Sequence, residues 1–204
     1  MARRDVFIIG DSISIHYGPY LKKYISNNYN YDRKRGLEVA LKDLDNPVGA
    51  NAGDSRMVLQ YLKEEQEKET KYDVLLINCG AHDIRVERKS KKIQVPLKEY
   101  MDNLTKIIEI AKTISNEVVW VSSCPIVDKI HNARKVGFLR YEEDNFIYNK
   151  AAKEIMAKQG VKVIDLYGFT KILGQDIYLD HIHFKEGTRK LQAAFIAGYL
   201  NCIK

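Results

Sequence analysis

Four apolar runs rich in β-branched residues recur along the chain: DVFIIG (5–10), YDVLLINCG (72–80), EVVWVSSCP (117–125) and VKVIDL (161–166). Their apolar cores do not alternate with polar residues, so each predicts a strand covered on both faces. Between them the apolar spacing changes to three and four. Residues 54–68 place Met57, Val58, Tyr61 and Leu62 on one helical face, with Asp54 or Ser55 available as the cap. Residues 96–114 open on Pro96 and carry a stripe of Leu97, Met101, Leu104, Ile107, Ile108 and Ala111. Helices are also predicted over 145–160, which ends on a glycine, and over 187–203. A weaker strand is expected within GLEVALKDL (36–44). Strands alternating with helices across short connections predict an α/β chain: a parallel sheet with helices on both faces.

Composition narrows this picture. With 204 residues, 45% of them hydrophobic, the chain suits one full-sized core. No repeat or Pro/Gly/Ser-rich linker divides it, so residues 1–204 are expected to form a single domain. The apolar run near the start, Val6–Ile9, is too short for a signal-peptide core or a membrane span. That predicts a cytoplasmic protein with no membrane span, although removal of a leader would leave the same sequence. Three scattered cysteines without a C-x-x-C pair argue against a disulfide framework, and Cys79 and Cys124 read as small buried hydrophobes.

The net charge of +6 comes mostly from interleaved acids and bases. The one dense basic run, RVERKSKK (85–92), is expected on a solvated loop after the third predicted strand rather than on a nucleic-acid interface. No nucleic-acid-binding motif accompanies it, so no nucleic-acid partner is expected. Composition leaves the oligomeric state open.

In parallel sheets, ligands bind beyond the carboxyl ends of the strands. The residues found there are Gly10-Asp11-Ser12, Gly53-Asp54, Gly80-Ala81-His82-Asp83 and Pro125, followed by the loop DIYLDHIHFKEG before the last helix. Ester hydrolysis by a nucleophile needs a hydroxyl, a base, an orienter for that base and donors for the oxyanion. Ser12 can supply the hydroxyl. Asp180 and His183, three residues apart, can meet on a tight turn and give a Ser…Asp…His order. A metal-dependent hydrolase is the rival, because His181 and His183 would share a strand face near His82 and Asp180. Ser12 would then have no role, and no zinc-type spacing is present.

Four ordered blocks resemble the SGNH (GDSL-type) esterases and lipases: FIIGDSIS (7–14), NAGDS (51–55), NCGAHD (78–83) and DHIHFKEGTRKLQAAFIAGYL (180–200). The likeness extends through YNKAAKEIMAKQGVKVIDLY (148–167) and so covers nearly the whole chain. It implies a flavodoxin-like three-layer α/β/α sandwich, no cofactor, no metal and hydrolysis through an acyl-serine. It also implies Ser12 as nucleophile, His183 as base and Asp180 as its orienter, with the Ser12 and Gly53 N–H groups in the oxyanion hole. The family's oxyanion Asn is replaced by His82, which can donate only from the right tautomer or when protonated.

The candidate substrate contacts are Asp11, Asp54, Asp83, His181 and Tyr17. Each also has a structural reading: Asp11 as a loop brace, Asp54 as a helix cap, Tyr17 as first-turn packing and His181 as a rim residue. Asp83 and Arg85 are expected to pair behind His82. His131 is expected in solvent. The mixed, charged stretch 126–145 tilts the expected substrate towards a small ester with a short acyl group on a polar or carbohydrate carrier. The alternatives are a non-catalytic carbohydrate-binding relative and a lysophospholipase or thioesterase.

Overall fold

A computed structural model describes residues 2–134 and 137–202. In chain order its elements are β1 (Arg4–Ile9), α1 (Ser12–Ile25), β2 (Tyr29–Arg33), α2 (Leu37–Ala40), α3 (Ser55–Glu67), β3 (Tyr72–Ile77), β4 (Val86–Glu87), α4 (Leu97–Ile114), β5 (Ser115–Val121), α5 (Asp128–Ala133), β6 (Phe138–Leu139), α6 (Glu142–Lys158), β7 (Lys162–Ile164), α7 (Leu166–Lys171) and α8 (Glu186–Cys202). The last residue of the predicted 187–203 helix, and Lys135 and Val136 of the 126–145 stretch, lie outside the described residues.

Among the described residues, five parallel strands form the main sheet in the order β2-β1-β3-β5-β7. Its central strands show why their sequences are apolar without alternation. Side chains of a strand point alternately to the two faces. Phe7 and Ile9 of β1, with Leu75 and Ile77 of β3, pack with Val58 and Leu62 of α3, Leu104, Ile107 and Ile108 of α4 and Met156 of α6. Val6, Ile8, Val74 and Leu76 enter the opposite core with Leu21 of α1 and Ala193, Ile196 and Leu200 of α8. Each strand feeds two cores, and the molecule is a three-layer α/β/α sandwich.

Several expectations are corrected. The second strand is β2, not a segment within 36–44. Tyr29 and Tyr31 supply its β propensity, and as an edge strand it needs no continuous apolar run. Residues 37–40 form a single helical turn, and Leu37, Val39 and Leu41 stay exposed because no second layer covers them. Helix α1 has no clear periodic stripe and carries an internal Pro19, but the Asp11 side chain caps it by accepting from the Ile13 N–H at 2.9 Å. Helix α6 starts earlier than predicted, with Glu142, Glu143 and Asp144 in its first turn, where acids favour the helix dipole. The basic run does lie largely in solvent, but it begins in β4, which pairs antiparallel with β6.

Candidate active site

The chain passes from β1 to β2 on one side and then crosses back to β3 on the other, so the direction of winding reverses between β1 and β3 and opens a crevice beyond their carboxyl ends. Ser12 sits there as the first residue of α1. Gly10, just before it, is held tightly: a Cβ there would meet the Ser14 Cβ and Oγ at 2.9 Å. The loop before α8 turns back over this point. The Asp180 Oδ1 accepts from the N–H groups of Ile182 at 2.9 Å and His183 at 2.8 Å, which builds the tight turn expected of DHIH. His183 Nδ1 then meets Asp180 Oδ2 at 2.8 Å, and His183 Nε2 lies 3.0 Å from Ser12 Oγ. With the ring proton on Nδ1, the imidazole donates to the carboxylate and accepts from the serine hydroxyl. Burial opposes ionisation of Asp180, but bonds from the His183 ring and from the His183 and Ile182 N–H groups prevail. They hold its carboxyl well below the usual range.

The three residues expected to line the oxyanion hole lie beyond the carboxyl ends of β1 and β3. The Ser12 N–H belongs to the unpaired first turn of α1. Gly53 has φ +75°, and a Cβ there would meet Pro47 Cβ at 2.9 Å, so the turn favours glycine. Its N–H donates to Asn51 Oδ1 at 3.2 Å, a long neutral bond. His82 follows β3 and is buried. Its Nδ1 has no hydrogen-bond partner. A buried N–H without an acceptor costs more than an unused lone pair, which favours the proton on Nε2. Burial, reinforced by the charges of Arg85 and Arg140, pushes the His82 pKa well below the ordinary imidazole value. Protonation of His82 is therefore disfavoured, and the neutral form with its proton on Nε2 is the one available for the expected oxyanion role.

A sequence model of the GDSL-like lipase/acylhydrolase family matches residues 6–196. The chain belongs to this family. Among curated proteins, none matches it by sequence. Solved structures share its fold at low identity. A lipase/acylhydrolase from Enterococcus faecalis superposes with a TM-score of 0.71 at 18% identity, over 98% of this chain and 96% of that one. The acetyl xylan esterase AlAXEase gives 0.69 at 13% identity, over 96% and 99%. Axe2, an acetylxylan esterase from Geobacillus stearothermophilus, gives 0.64 at 15%, over 95% and 92%.

Within this GDSL-like acylhydrolase the other candidate contacts face the scaffold. Asp11 caps α1, and burial, opposed by its bonds, raises its pKa. Asp54 caps α3 through the Arg56 and Met57 N–H groups and also accepts from Gln94 Nε2 at 2.8 Å. Tyr17 is packed in the core beneath α1. Asp83 accepts from the Ser55 N–H at 2.9 Å, whereas Arg85 reaches the Asp45 carbonyl, so the expected Asp83–Arg85 pair does not form. His181 is buried rather than at a rim, and Arg134 Nη1 lies 2.9 Å from its Nε2. His131, expected in solvent, is 0% exposed and its ring lies 4.6 Å from that of His181, tilted by 44°, because α5 folds over this loop. Among the described residues no group of His, Cys, Asp or Glu side chains is arranged to hold a metal ion.

One further neighbour follows from the HY pair beside Ser12, and one escaped the sequence reading. His16 packs against His183, and Arg140, 2% exposed, donates from Nε to the Ala81 carbonyl at 2.8 Å beside His82. Proximity of the HY pair to Ser12 was a signal for His16. Nothing local marks Arg140.

Proposed function

We propose that the chain is a serine esterase that cleaves short acyl esters, acetyl above all, from a polar or carbohydrate carrier through an acyl-serine. The observation that carries this reading is the unbroken relay Asp180–His183–Ser12, with links of 2.8 and 3.0 Å. Ser12 Oγ attacks the ester carbonyl while its proton passes to His183 Nε2. Asp180 stabilises the imidazolium so formed, and His183 then protonates the leaving alcohol. The oxyanion is received by the Ser12 N–H, the Gly53 N–H and His82 Nε2–H. Gly53 exchanges its long bond to Asn51 for a stronger bond to charged oxygen. Water, activated by His183, hydrolyses the acyl-serine.

The preference for a polar carrier is supported by the segment after Pro125, which brings Arg134, His131 and Arg140 towards the triad instead of an apolar wall. The two acetylxylan esterases of the same fold agree with acetyl as the acyl group.

The test is Ser12→Ala with an aryl acetate and a fluorophosphonate probe. Turnover should fall by several orders of magnitude with the fold intact, and labelling should vanish. Continued labelling at another serine would sink the assignment.

A further inference from the structure

Beside the triad lies a buried basic cluster that the relay does not use. Arg140 gives Nε to Ala81, yet its Nη1 is buried with no partner. Arg85 Nε and both ring nitrogens of His131 are also buried and unpartnered. These groups form one body around Phe138, whose ring centroid is 4.3 Å from the Arg85 guanidinium, 4.9 Å from that of Arg140 and 5.2 Å from the His131 ring. The cluster adjoins the reacting groups. His181, packed against His131, has Nδ1 3.6 Å from Asp180 Oδ1, and its ring lies 6.1 Å from His183.

Guanidinium groups donate and cannot accept, so neutral partners satisfy them poorly and an oxyanion satisfies them well. A buried cation left without a hydrogen-bond partner is costly to a fold. Asp45 gives this cluster only loose carboxylate contacts, 3.4 Å from Arg134 Nη1 and 3.8 Å from His181 Nε2. Burial, and after it the neighbouring Arg85, lower the Arg140 pKa to about 9. The chain's net charge of +6 favours approach of an anion.

We propose that Arg140, with Arg85 and Arg134, forms a subsite for an oxyanion, a carboxylate or a sulfate, carried by the alcohol part of the ester. This rests on the serine-esterase reading and narrows its substrate to acyl esters of acidic carriers. Arg140 thereby links recognition to chemistry, because the same guanidinium braces the Ala81–His82 turn.

The experiment compares an O-acetylated uronic acid glycoside with its uncharged uronamide, and with the 6-O-sulfate of the matching O-acetylated glucoside. The wild type should favour the uronate or the sulfate over the uronamide by at least about tenfold in kcat/KM, the range of one charge-assisted hydrogen bond. The better of the two anions identifies the natural group. Arg140→Lys and, because Arg140 is buried, also the more exposed Arg134→Gln should shrink that ratio towards one. Equal turnover of charged and uncharged carriers, or an unchanged ratio in Arg134→Gln, overturns the subsite. Both outcomes are read from turnover that requires Ser12, so they leave the esterase reading standing. Deacetylation that persists in Ser12→Ala would overturn that reading instead.

Discussion

The ring of His16 stands 5.0 Å from the ring of His183, edge to face. One turn into α1, it forms a wall against the imidazole that meets Ser12 Oγ. Burial, with the charges of Arg189 and His183 adding to it, lowers the His16 pKa to about 4, so this wall is neutral at working pH. His16 is a positioning residue. His16→Ala should lower kcat by about tenfold with KM little changed, because the lost packing frees the His183 ring away from its attacking geometry. His16→Phe should recover most of the loss. An unaffected kcat in the alanine variant would mean that Asp180 and the turn alone hold His183.

His82 carries the oxyanion prediction. Removing one side-chain donor typically costs about 10²–10³ in kcat, since its bond strengthens as charge develops on oxygen. His82→Ala should lose about that much with little change in KM, and His82→Asn should regain part of it. Because His82 is held neutral, kcat/KM should show no descending limb from deprotonation of His82. A descending limb that disappears in His82→Asn would show that a charged His82 takes part.

Asp83 predicts a stability effect. Burial, opposed by its bonds to Ser55, raises its carboxyl from 3.8 to about 7. The folded state therefore binds this proton more tightly than the unfolded chain. Between roughly pH 4 and pH 7 this group removes stability as pH rises. Buried neutral His82 and His131 act in the opposite sense in acid, since their lowered pKa values mean that unfolding takes up protons there. Only the difference between variants isolates Asp83. Asp83→Asn keeps an oxygen for the Ser55 N–H and should gain stability over the wild type at pH 8 relative to pH 4.5, as read by urea midpoints. Parallel pH dependence in the two proteins would show that Asp83 ionises as freely folded as unfolded.

Acyl length separates a closed polar site from a groove. An open apolar groove gains roughly 0.8 kcal/mol for each added buried methylene. With arginine and histidine side chains beside the triad, kcat/KM on aryl esters should peak at acetyl or butyryl and fall by octanoyl. Activity that climbs to ten carbons would favour a lipase or thioesterase.

What the sequence determined by itself was whatever depends on near neighbours in the chain. Strands β1, β3 and β5 were legible because each is covered on both faces and leaves no room for polar residues among its buried positions. The Asp180–His183 turn was legible because a carboxylate three residues before a histidine can accept that residue's own N–H and reach its ring. Ser12 was legible because an apolar strand ending in Gly-Asp-Ser places a hydroxyl at a helix start. Tertiary structure alone decided the rest. Edge strand β2 lacks a two-sided apolar run, and α1 is a helix because a cap and a core hold it despite Pro19. His131 looks like any surface histidine until α5 lays it on His181, 50 residues later in the chain. His82 is held neutral because burial and two arginines, one of them beyond β5 in the chain, disfavour a second proton. Burial and charge are sums over everything that folds nearby, and no local stretch of sequence contains that sum.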